Sequence, residues 1–138
     1  MKAINLCYNT VAMLRKIKIT AGDIEVMGEL KGTRTAEAIW QSLPIVSKVN
    51  TWGDEIYFSI QVKMEPENPS AVVSEGDLGY WPPGKAFCIF FGPTPASKGN
   101  EIRPASPVNV FGKIIGNPKV FKELFDNTEI KIEKAGGQ

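Results

Sequence analysis

Apolar and polar residues alternate at period two along much of this chain, the pattern of half-buried β-strands. Ile17 and Ile19 alternate with lysines. Ala21-Gly22-Asp23 then turns the chain into Ile24, Val26, Gly28 and Leu30, again at period two. The pattern changes once, over Thr35 to Leu43. There Ala36, Ile39, Trp40 and Leu43 share one face at helical spacing, a threonine is available as N-cap, and Pro44 stops the run. Ile45 to Thr51 reads as a strand, Gly53-Asp54 as a turn, and Glu55 to Met64 as the partner strand. In that partner Ile56, Phe58, Ile60 and Val62 alternate with Tyr57, Ser59, Gln61 and Lys63.

Past a polar Pro-containing loop, Glu65 to Ser70, come strands at Leu78–Trp81 and Ala86–Phe91. A long loop from Gly92 to Pro104 follows, and then a strand from Val108 to Ile115. Asn117-Pro118 opens a short helix, with Asn as cap and Pro in the first helical position, and Val120, Phe121, Leu124 and Phe125 form its inner face. Thr128 to Lys134 is the last strand. About eight strands and two distant helices, without a βαβ rhythm, fit a closed antiparallel barrel with a helix at each open end.

Bulk properties narrow the function. The 138 residues carry 43% hydrophobic and 22% charged side chains and a net charge of +1. That is ordinary for one globular domain, and too weak a field to argue for nucleic acid or an anionic membrane surface. No apolar run approaches a membrane span. The N-terminus is a poor signal sequence, because Asn5, Asn9 and Thr10 interrupt its apolar core, so a cytoplasmic protein is expected. A start at Met13 would make residues 1–12 an upstream extension and 13–138 the domain. The two cysteines, Cys7 and Cys88, have no metal spacing and read as free thiols. Histidine is absent, which removes the commonest general base and every Ser-His or Cys-His mechanism. No cofactor or metal is expected.

The densest stretch runs from Gly76 to Ser97. It holds Tyr80-Trp81, Pro82-Pro83-Gly84, an apolar run, and Gly92-Pro93-Thr94-Pro95. Aromatic rings beside rigid corners either close the end of a barrel or wall a ligand groove.

Specific motifs add a resemblance. Val108-Asn109-Val110-Phe111-Gly112-Lys113-Ile114 resembles the HVVFGKV strand of cyclophilins, and Thr35-Ala36-Glu37 resembles their TAENF helix start. Leu78 through Phe91 sits where cyclophilins carry LSMA and SQFFI, and order and spacing agree from about Arg15 onward. WGDEIYF, GYWPPGKA and FFGPTP are similar to segments of small prokaryotic cyclophilin-like proteins. The resemblance implies an eight-stranded antiparallel barrel capped by two short helices. It does not carry the isomerase chemistry across. The strand that supplies the catalytic arginine of prolyl isomerases corresponds to Val46–Ile56, which offers Lys48 and no arginine. Val108 replaces the histidine, and the pocket tryptophan falls at Arg103. Gln61 and Phe90 stand at the pocket glutamine and phenylalanine.

The candidate ligand-binding residues are therefore Trp52, Glu55, Tyr57, Gln61, Tyr80, Phe90, Thr94 and Arg103. Glu55 and Tyr57 point away from the Ile56/Phe58 face, onto either a solvated exterior or a groove. Trp52, Tyr80 and Trp81 either stack on a ligand or plug the barrel. Arg103 either supplies a positive donor at the groove, in contact with Glu55, or simply pairs with Glu101. The expected function is binding of a small molecule or a proline-containing peptide without efficient isomerisation. The alternatives are a diverged prolyl isomerase and an interaction protein, which could homodimerise.

Overall fold

The computed structural model describes residues 15–135, so Cys7 and the 1–12 extension lie outside it. Its strands are β1 (Lys16–Ala21), β2 (Ile24–Leu30), β3 (Ile45–Lys48), β4 (Asn50–Thr51), β5 (Glu55–Ser59), β6 (Asp77–Trp81), β7 (Ala86–Phe90), β8 (Asn109–Ile115) and β9 (Glu129–Ala135). They form one antiparallel sheet in the order β3-β9-β1-β2-β8-β6-β7-β5-β4. Nine strands replace the expected eight because the Ile45–Thr51 run changes partner midway. β3 pairs with β9 and β4 pairs with β5. Between them Val49 is fully buried and bonds to Thr128 and Asn127. That run joins the two edges of the sheet and nearly closes the barrel.

Inside, Ile17 and Ile19 from β1, Ile56 and Phe58 from β5, Leu78 and Tyr80 from β6, Phe87 and Ile89 from β7, and Ile130 and Ile132 from β9 make one core. Phe58 stacks on Phe87, which meets Phe111 edge-on. Helix α1 (Arg34–Ser42) covers one end. Thr33 caps it through Ala36 N at 3.0 Å, and Ala36 and Ile39 are buried beneath it.

The second helix is a 3-10 segment, Pro118–Glu123, capped by Asn117 as the sequence predicts. Three residues per turn rather than 3.6 change its inner face. Phe121 is buried, but Phe125 lies beyond the last turn and is exposed. A second correction concerns β5, which ends at Ser59 rather than Met64. Ile60 N makes one last in-register bond to Lys85 O, and Ile60 and Val62 still reach the core, so the alternation outlasts the strand.

The outer face of the barrel has a core of its own. All five residues of β7 are buried, so both faces of that strand are covered. The loops at 69–76 and 92–108 supply the cover. They join through Val73 N to Ile102 O (2.9 Å) and bridge to the start of β8 through Ser70 and Val108. Val73, Ile102 and Val108 pack there on Ala86, Cys88 and Phe90.

Candidate functional site

β5 places Glu55 and Tyr57 on this outer face, opposite Phe90 and Cys88 of β7. The turn before β5 and the start of the long loop then lock together. Asp54 N bonds Pro93 O at 2.9 Å, and Phe91 N bonds Asp54 O at 2.9 Å. Gly53 has φ +62°, and a Cβ on it would sit 2.8 Å from Pro95 Cδ, so this contact requires glycine. Thr94 knits the next turn, accepting from Ala96 N at 3.1 Å and donating to Arg103 O, while Ser97 Oγ accepts from Thr94 N and Arg103 N. The loop is thereby pinned at both ends above the sheet.

Under it lies a cavity of about 260 Å³. Glu55, Tyr57 and Cys88 form its floor, Val108, Pro104 and Ala105 come from the loop side, and Trp52 and Trp81 supply its aromatic walls. The Trp81 indole donates to Ser106 Oγ at 2.7 Å, which ties this wall to the loop. Gly84 lies against its ring, where a Cβ would come within 2.8 Å, so the WPPG corner is shaped to seat the tryptophan.

Glu55 sets the electrostatics. It is 5% exposed and its Oε1 accepts no hydrogen bond. The other buried polar side chains, Thr35, Thr94 and Asn109, all have partners. Among the described residues Glu55 Oε1 is the only buried side-chain oxygen or nitrogen left without one. Burial raises its pKa to about 7, against the lowering effect of the neighbouring Cys88 thiol. The same burial, reinforced by Glu55, pushes the Cys88 thiol well above its ordinary value. Cys88 is therefore a buried wall and not a nucleophile.

The structure thus brings Trp52, Glu55 and Tyr57 of the sequence candidates together with Trp81, which the sequence offered as a stacking ring, and adds Cys88. The face opposite Ile56 and Phe58 is divided: Glu55 is buried and Tyr57 half-buried at a pocket beneath the loop, while Ser59 at the end of the strand is exposed. The other candidates fall elsewhere. Phe90 is fully buried under the loops, beside the pocket rather than in its lining. Tyr80 points into the barrel, where its hydroxyl donates to Val62 O at 2.6 Å and accepts from Met64 N. Gln61 is exposed beyond the end of β5. Thr94 shapes the loop instead of the cavity. Arg103 binds Glu101 with two nitrogens, Nε at 2.7 Å and Nη2 at 3.2 Å, so the expected Arg103–Glu55 pair does not form. Only Ile102 separates Arg103 from Glu101, a shorter reach than across the loop to Glu55. Among the described residues no group of three His, Cys, Asp or Glu could hold a metal, and no helix is long and apolar enough to cross a membrane.

A family model for cyclophilin-like proteins matches residues 15–133. The solution structure of a hypothetical protein from Archaeoglobus fulgidus is similar, with 42% identity and a TM-score of 0.76, over 90% of this chain and 97% of that one. No curated protein matches. With its barrel, its outer-face loops and a match spanning nearly all of the described residues, the chain belongs to the cyclophilin-like family.

Proposed function

We propose that this chain is a small-molecule binding protein, whose ligand enters the cavity between the outer face of β5–β7 and the 92–108 loop, and that it does not isomerise prolyl bonds. One observation carries the reading. A carboxyl group is buried without a hydrogen-bond partner for Oε1 in a pocket walled by two tryptophans. An uncompensated buried polar atom costs about 1–3 kcal/mol, and a ligand that supplies the missing donor recovers that cost on binding. The volume suits a small ligand better than an extended peptide. Prolyl isomerisation needs a donor that polarises the twisted amide. The lining residues include no arginine or lysine, and Arg103 is occupied by Glu101.

The test is a screen of metabolites and proline-containing peptides by tryptophan fluorescence and melting temperature. Ala105→Phe serves as a pocket-filling control, since Ala105 lines the cavity from an exposed loop position. A metabolite should raise the melting point and perturb the indole emission of the wild type, and do neither in the variant. No response at millimolar ligand, or an equal response in Ala105→Phe, would refute the reading. In a prolyl isomerisation assay the rate should match the uncatalysed one; clear turnover would return the protein to the isomerases.

A further inference from the structure

We propose that the pocket selects a small organic cation, an ammonium, amidinium or guanidinium head on a flat body, with Glu55 as its counter-charge and Trp52, Tyr57 and Trp81 as its aromatic enclosure. This deepens the ligand-binding reading above and rests on it. The pocket lining contains one charged side chain, and it is acidic. A carboxylate or phosphate ligand would therefore meet no cation there and would face Glu55 instead. The Trp81 indole N–H is already given to Ser106, and the Trp52 N–H and Tyr57 O–H in the lining are neutral donors that would leave an anion's charge uncompensated. What the cavity offers is one acidic side chain, with an oxygen that has no hydrogen-bond partner, and three aromatic side chains. Those two features attract a positive, hydrogen-bond-donating group.

The arrangement also links binding to protons. The titratable groups facing Glu55 are Tyr57 on its own strand and Cys88 on β7. The loop elements packed against it contribute Pro104, Ala105 and Val108, none of them charged. With its pKa near 7, Glu55 must shed a proton to receive the cation over much of the neutral range. Affinity for a permanently charged ligand should therefore rise about tenfold per pH unit below 7 and level off above it.

Benzamidinium, benzamide and benzoate share a shape and differ in charge, so they make the test. Binding is followed by tryptophan emission between pH 5.5 and 8.5, in wild type and in Glu55→Gln, which is isosteric with the protonated side chain. Benzamidinium should bind at least about tenfold more tightly than benzamide at pH 8, and Glu55→Gln should abolish both that preference and its pH dependence while keeping its melting transition. Benzamide or benzoate binding as tightly as benzamidinium would overturn the cation assignment and leave the ligand-binding reading standing. A cation preference that survives in Glu55→Gln would overturn it too. Silence from all three probes ends this inference, while the wider screen judges the ligand-binding reading by itself.

Discussion

Between pH 4.5 and 7 the wild-type chain should lose about 3 kcal/mol of stability that Glu55→Gln does not lose. The sign follows from the direction of the shift. Burial raises the folded-state pKa of Glu55 to about 7, above the ordinary carboxyl value near 4.5 that the unfolded chain retains. Between those values the folded state holds more protons than the unfolded state, so stability falls as pH rises. The contribution is fully present below pH 4.5, is lost through pH 7, and is flat above. Glutamine keeps the shape and has no charge to bury. Its melting curve should thus run close to wild type at pH 4.5 and above it at pH 8. Denaturant or thermal unfolding of both proteins across that range checks the difference. Parallel curves would mean that Glu55 is solvated.

The largest single-residue loss outside the pocket is expected at Gly112, the glycine of the VFGKI strand. A Cβ there would lie 2.5 Å from the Glu29 carbonyl oxygen and 3.3 Å from Leu30 and Leu78 side-chain carbons. The close neighbour is backbone of the paired strand β2, which cannot rotate aside. The site also adjoins the bulge between β6 and β8, where Leu78 pairs with Gly112 but Gly79 pairs with Val110. Gly112→Ala should therefore cost about 3 kcal/mol, with part of the strain relieved by separating β2 from β8, and lower the melting temperature by roughly 10 °C. Gly99→Ala is the control. Gly99 has φ +64° but nothing within 4 Å of the added carbon, so only backbone strain of about 1 kcal/mol is expected. Equal losses at the two positions would contradict the packing argument.

The same contrast between local and long-range information explains what was legible in the sequence. Period-two alternation located β1 and β2, and the Asn117-Pro118 cap and the α1 face were readable because each depends on neighbours within one turn. Alternation also placed Glu55 and Tyr57 on the face away from Ile56 and Phe58. Whether that face meets water, however, depends on a loop 40 residues further along folding back over it. The one local signal for that cover was the apolar run of β7, which does not alternate. A strand apolar on both faces needs a cover on both. The alternation through Ile60 and Val62 misled in the opposite direction, since side chains kept entering the core after the strand had ended. Arg103 and Tyr80 lie outside the pocket for a related reason. Each found a nearer partner, Glu101 for the guanidinium and the backbone of Val62 and Met64 for the phenol.

The proposed function rests on a buried Glu55 whose Oε1 has no partner, in the lining of a cavity. A carbon-13 NMR titration of the glutamate side-chain carboxyls, with Glu55 assigned through Glu55→Gln, reads that state directly. The Glu55 resonance should titrate with a midpoint close to 7, apart from the other glutamates. A midpoint near 4.5, the ordinary carboxyl value, would contradict the buried, unpartnered state of Glu55 on which the proposed function rests.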